Sequence, residues 1–138
     1  MYLIDTNILS EIRKKKKANK GVIRFFESAI DNEDRLYVSD ITIGELRRGV
    51  ELIRHRGDTR QANMLEKWLS LLLSEYQDSI LDFDKDAAQL WGKLRSPHPE
   101  HALDKQIAAT ALIYGLTVVT RNDKDFIKIG AKVLNPFE

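Results

Sequence analysis

The chain opens Met1-Tyr2-Leu3-Ile4-Asp5-Thr6-Asn7-Ile8-Leu9-Ser10, and the change of pattern inside these ten residues decides the fold. Tyr2–Asp5 reads as a short strand, apolar until it meets an acid. From Thr6 the apolar spacing becomes helical, with Ile8, Leu9 and Ile12 on one face of a helix running to about Lys15. The same succession recurs down the chain. Leu36–Ser39 is a strand followed by a helix from Thr42 to about Arg54, and Ile80–Phe83 precedes a helix begun by Asp84. Leu116–Thr120 leads into a helical turn at Asp123–Phe126, and Lys132–Leu134 is a last strand. Further helices span about Val22–Asp31, Thr59–Glu75 and Asp104–Tyr114, the last ended by Gly115. Strands alternating with helices predict an α/β fold, a central parallel sheet of four to five strands flanked by helices on both faces. Gly57-Asp58 separates two long amphipathic helices, which predicts a protruding helical hairpin.

At 138 residues, with no repeat and no Pro/Gly-rich linker, the chain is expected to form a single domain over 1–138. Cysteine is absent, which excludes a disulfide framework, a thiolate zinc site and a cysteine nucleophile. The opening lacks a basic leader, and the weakly polar stretch Ile107–Val119 is too short to span a bilayer. A cytoplasmic protein without membrane contact is the expectation. Net charge is only +1, but its distribution is uneven: Arg13, Lys14, Lys15, Lys16, Lys17, Lys20 and Arg24 follow one another without an acid. Such a run can attract a phosphate backbone, or it can be a solvated surface.

The acids are more informative. Asp5 ends the first strand, Glu45 lies in the first turn of the helix after the second, and Asp104 opens the penultimate helix. Asn122 and Asp123 follow the strand Leu116–Thr120. In open parallel sheets, ligands bind beyond the carboxyl ends of the strands, so all these positions are candidates for one edge. Each also has a structural explanation. Asp5 suits a helix cap, Thr42-Ile43-Gly44-Glu45 matches a capping box, Asp104 suits a helix dipole and Asn122 could cap its turn. Carboxylates gathered at one edge would raise one another's pKa unless a cation lay between them. Oxygen ligands of this kind suit Mg²⁺ or Mn²⁺. Two such ions about 4 Å apart can activate a water against a phosphodiester. The histidines His55, His98 and His101 show no metal spacing, and His98-Pro99-Glu100-His101 reads as a loop.

Four stretches carry a family resemblance: Leu3-Ile4-Asp5-Thr6-Asn7-Ile8-Leu9-Ser10-Glu11, Ile41-Thr42-Ile43-Gly44-Glu45-Leu46-Arg47-Arg48-Gly49, Asp104-Lys105-Gln106-Ile107-Ala108-Ala109-Thr110-Ala111 and Val119-Thr120-Arg121-Asn122-Asp123-Lys124-Asp125-Phe126. With the closing Leu134-Asn135-Pro136-Phe137, they resemble the PIN-domain ribonucleases, in particular the VapC toxins of bacterial toxin–antitoxin pairs. The resemblance spans nearly the whole chain and implies a PIN-like fold. It implies a metal-dependent endoribonuclease that cleaves RNA with a metal-activated water. It further implies Asp5, Glu45 and Asp104 as ligands of Mg²⁺ or Mn²⁺, with Thr6 and Thr120 beside them. The family's fourth acidic position falls on Asn122, which offers a carbonyl oxygen and no charge. Asp123 and Asp125 could supply that charge, Asp123 being preferred for its nearness to the strand end. A homodimer and a cognate antitoxin protein are the implied partners. Arg121, Arg48 and the basic run are candidates for the RNA backbone, although Arg48 is equally explained by an ion pair with Glu45 one turn earlier.

Three other readings remain open from sequence: a structure-specific DNA nuclease of related fold, a phosphatase using Asp5, and a non-catalytic regulator that binds nucleic acid or protein. The phosphatase chemistry commonly has a second acid two residues on, where this chain has Asn7.

Overall fold

The computed structural model describes all 138 residues. Five strands, β1 (Tyr2–Ile4), β2 (Leu36–Ser39), β3 (Ile80–Leu81), β4 (Thr117–Val119) and β5 (Lys132–Leu134), form one sheet in the order β3-β2-β1-β4-β5. Every neighbouring pair is parallel, with Leu3 beside Tyr37 on one side and Val118 on the other. Seven helices connect them: α1 (Thr6–Ile12), α2 (Lys20–Asp31), α3 (Asp40–His55), α4 (Thr59–Glu75), α5 (Lys85–Arg95), α6 (Ala102–Tyr114) and α7 (Asp123–Ile129).

Both faces of the sheet are covered because successive strand residues point to opposite sides. Ile4, Val38 and Val119 enter one core with Ile8, Leu9, Val22, Leu46, Val50, Leu69 and Leu72 from α1 to α4. Leu3 and Val118 enter the other with Ile107, Ala108 and Ala111 of α6 and Phe126 of α7. Each Val, Leu, Ile or Phe among them, withdrawn from water, contributes on the order of 1.5–3 kcal/mol, and the alanines less. Residues Ile107 to Ala111 of α6 are buried in unbroken succession, because this helix lies between the sheet, α5 and α7. That explains a stretch apolar on all sides rather than along one stripe. The expected hairpin is α3 and α4, and its base belongs to the first core. Met64 and Leu71 on α4 are exposed.

Three of the departures of element boundaries from the sequence reading concern the basic run and the candidate acids. The first helix stops at Ile12 and a 3₁₀ turn follows at Lys15–Lys17, with Lys15 at φ 57°. Like charges one turn apart disfavour continuing the helix through Arg13–Lys17. The helix after β2 begins at Asp40, capped by Ser39, whose hydroxyl accepts the Ile41 N–H at 3.1 Å. Thr42 is thus inside the first turn and buried, and the capping-box explanation of Glu45 is withdrawn. The penultimate helix begins at Ala102, which places Asp104 at its third position.

The chain visits β1, then β2 on one side, and later β4 on the other. Strand order therefore reverses between β1 and β4, and a crevice opens there at their carboxyl ends. The Asp5 N–H donates to the Val119 carbonyl at 2.9 Å, which ties the two strand ends together.

Candidate active site

Asp5 stands at that crevice, 3% exposed. Its Oδ1 accepts the Thr6 N–H at 2.8 Å, and its Oδ2 accepts the Thr120 hydroxyl at 2.7 Å and the Asn7 amide at 3.3 Å. The Thr120 bond spans the switch point, from the residue after β4 to the residue after β1. Burial raises the Asp5 pKa, and the bonds from Thr120 and Thr6 only partly offset it.

Glu45 reaches the same place from the second turn of α3. Its Oε1 accepts the Thr6 hydroxyl at 2.9 Å, and that hydroxyl lies 3.3 Å from the Thr42 hydroxyl. Burial raises its pKa, the Thr6 bond lowers it, and the Asp5 charge raises it again. No cation balances it, for Arg48 is exposed on α3 and does not engage Glu45. The ion-pair explanation of Arg48 is therefore not what the structure shows.

Asp104, half-buried at the start of α6, completes the group. Its pKa is pushed up to about 6, first by burial and then by the charges of Asp5 and Glu45, with His101 opposing and Asp125 adding to the rise. Residues 5, 45 and 104 thus share one electrostatic neighbourhood although they come from three separate elements. The tightest group of potential ligand atoms lies at its edge: one atom each from His101, Asp104 and Asp125, all within 4.8 Å of one another.

The fourth-position candidates separate clearly. Asn122 is exposed at the N-cap of α7 without a side-chain capping bond; its backbone N–H donates to the Thr120 hydroxyl at 3.0 Å and its carbonyl accepts the Asp125 N–H at 3.1 Å. Asp123 starts α7, but it is Asp125, further round the helix, that the structure brings to Asp104. The sequence reading set His101 aside as a loop residue without a metal spacing, and the structure corrects this by bringing its ring to Asp104 and Asp125. It stands at the N-cap of α6 with φ 55°, a backbone turn that no ligand spacing announces. Arg121 is exposed, its guanidinium 4.6 Å from the Phe137 ring, and its N–H donates to the Asn7 side chain at 3.1 Å. One further acid at this sheet edge is structural: Asp40 accepts the Phe83 N–H at 3.1 and 3.2 Å and anchors the chain leaving β3.

A model of the family described as PIN domain matches residues 2–132. The chain belongs to the PIN domain family. Toxin FitB of Neisseria gonorrhoeae is 34% identical over 143 residues, 99% of each chain. The VapC ribonuclease Y4jK of Sinorhizobium fredii is 30% identical over 144 residues, 100% of this chain and 99% of that one. Among solved structures, FitAcB from Neisseria gonorrhoeae superposes with a TM-score of 0.83 at 36% identity, over 99% of this chain and 98% of that one. The α/β architecture with its five-stranded parallel sheet is thus the PIN fold, and the match runs through all four segments that carry the acids of this PIN domain.

Proposed function

We propose that this protein is the toxin of a toxin–antitoxin pair, an endoribonuclease that hydrolyses RNA phosphodiesters with Mg²⁺ or Mn²⁺. The observation that carries the reading is that Asp5, Glu45 and Asp104 lie near enough around the β1/β4 crevice for the charge of Asp5 to act on Glu45 and the charges of both on Asp104, with no Arg or Lys in ion-pair contact. Each has its pKa raised by burial, and the charges of its neighbours add to the rise at Glu45 and Asp104. Carboxylates so placed lose stability unless a cation joins them. The donor set, carboxylate oxygens with one imidazole at the margin, fits a hard divalent ion.

Asp5, Glu45 and Asp104 would hold the metal, with Asp125 and His101 able to extend the set. When bound, such an ion supplies charge to a phosphate and lowers the pKa of water. The protein's own part is orientation. Thr120 fixes one oxygen of Asp5 and the Thr6 N–H fixes the other, while the Thr6 hydroxyl holds Glu45. Thr6 and Thr120 are therefore positioning residues. FitB is a toxin and Y4jK a ribonuclease, which supports RNA as the substrate and a cognate antitoxin as partner. A homodimer is the further expected assembly. The cytoplasm is the proposed place of action, and no helix is long and apolar enough to cross a membrane.

The test is cleavage of total cellular RNA and of DNA of matched sequence, with Mg²⁺ or Mn²⁺ and with chelator, by the wild type and by Asp5→Asn and Glu45→Gln. Metal-dependent cutting of RNA that both substitutions abolish, in variants that remain folded, is expected. Undiminished cutting by both variants would refute the site. Preferential cutting of DNA would favour the related DNA nuclease instead.

A further inference from the structure

A cleft of about 630 Å³ runs away from the acidic crevice between the C-terminal end of α5, the 96–101 loop and α7. It shares His101 and Asp125 with the acidic group, so whatever lies in it continues into the site. Its volume falls in the range of about 300–1,000 Å³ usual for sites that hold a small molecule. Lys93, Lys105, Lys128 and His98 also line it. The carboxylates that face them are Asp125, turned toward Asp104, and Glu100, 3.8 Å from the His98 ring.

Several of the other basic groups are held in contacts of their own, and what sets the lysines of this cleft apart from the unpaired rest is their place beside the acidic group. Arg47 and Arg54 are tied to Glu66, Lys14 to Glu11 and Arg24 to Glu138, while the Arg13 guanidinium lies over Trp68. Lys93 and Lys128 are exposed and have no carboxylate in ion-pair contact. Lys105 is buried, and its amine donates to the His98 carbonyl. That bond ties the 96–101 loop to α6.

From the shared residues and the two unpaired amines we infer that this cleft is a subsite for single-stranded RNA, holding the nucleotides on one side of the phosphate that is cut. Lys93 and Lys128 contact the backbone phosphates, and the His98 ring offers a face on which a base can stack. The cleft gives the strand a direction through the site, and it lies on a different face from the basic run at 13–24. This rests on the nuclease reading for its substrate, but its test does not depend on turnover.

The experiment measures binding of a fluorescent single-stranded RNA in chelator, where no cutting occurs, as a function of salt. The proteins are the wild type, Lys93→Ala/Lys128→Ala, and a control Lys67→Ala/Lys132→Ala that removes the same charge from α4 and from the start of β5, away from the site. Removing one lysine–phosphate pair lowers the logarithmic salt slope by about 0.7. The slope of the cleft variant should fall by about 1.4, so a fourfold rise in salt weakens wild-type binding about sevenfold more than it weakens the variant's. The control pair should keep the wild-type slope. Equal slopes for wild type and cleft variant would overturn the inference, and so would an equal fall in the control. Cleavage of the same RNA with Mn²⁺ is run alongside on the wild type. No cutting with the slope difference present would sink the nuclease reading alone, and cutting without a slope difference would sink the subsite alone.

Discussion

Asp104→Asn should make the metal-free protein more stable, although the position is one of the three proposed to hold the metal. In the unfolded chain this carboxyl titrates at 3.8, and in the fold it does so at about 6. A shift of that size corresponds to about 3 kcal/mol against the charged form at neutral pH. Half of the side chain faces water, so screening reduces this to on the order of 1.5 kcal/mol. The helix dipole works the other way, since an acid in the first turn of α6 is favoured by about 0.3–1 kcal/mol. Crowding wins, and the amide should be about 1 kcal/mol more stable, a rise in Tm of roughly 3 °C for a chain of this length. The sign with pH follows from the raised pKa. The native form holds the proton more tightly, so the cost is absent below about 3.8, grows through about 6 and is complete above it. Thermal unfolding in chelator at pH 8 should therefore separate the two proteins, and at pH 4 they should converge. Added Mg²⁺ or Mn²⁺ should reverse the order, because it binds the wild type more tightly. If Asp104 were only a helix-start residue, Asp104→Asn would be the less stable protein at pH 8. That outcome would refute the crowding of charge on which the site rests.

Thr120→Val deletes the hydroxyl that fixes Asp5 and should cost about 1–3 kcal/mol by denaturant unfolding, with cleavage falling even where the protein is fully folded. Ser39→Ala should cost about 1 kcal/mol by removing the cap of α3, measured by the midpoint of urea unfolding. Lys14–Lys17→Ala should weaken RNA binding and flatten its salt dependence, and an unchanged slope would remove the 3₁₀ turn from the RNA path. Gly21→Ala would set a methyl about 2.0 Å from the Pro136 carbonyl, so the C-terminal residues must move and a lower Tm is expected.

What the sequence made legible was whatever depends on local order. Alternation of strand and helix, Leu36–Ser39, the helix from Thr59 to Glu75 and the stop at Gly115 all follow from periodicity and turn chemistry, and the structure repeats them. Helix starts were less legible because Ser39, Asp40 and Thr42 are all competent caps. The choice of Ser39 is made by the sheet, which fixes where β2 ends. The same holds at the site. That Asp5, Glu45 and Asp104 belong to one edge could be read from their positions after strands and at helix starts. The distances could not, because they depend on the reversal of strand order that sets β4 beside β1. Asp125 lies beside Asp104, whereas sequence distance from β4 favours Asp123. Proximity along the chain was the wrong measure, because two residues of helix rotate a side chain by roughly 200°. His101 is the extreme case: a left-handed residue at an uncapped helix start, whose nearness to Asp104 and Asp125 has no signature in spacing. Local pattern thus places an acid at an edge, and the direction in which that acid faces is decided by turns and helix phase. For this reason substitutions at Asp125 and His101, rather than at Asp123, are the ones that should change which divalent ion the site accepts.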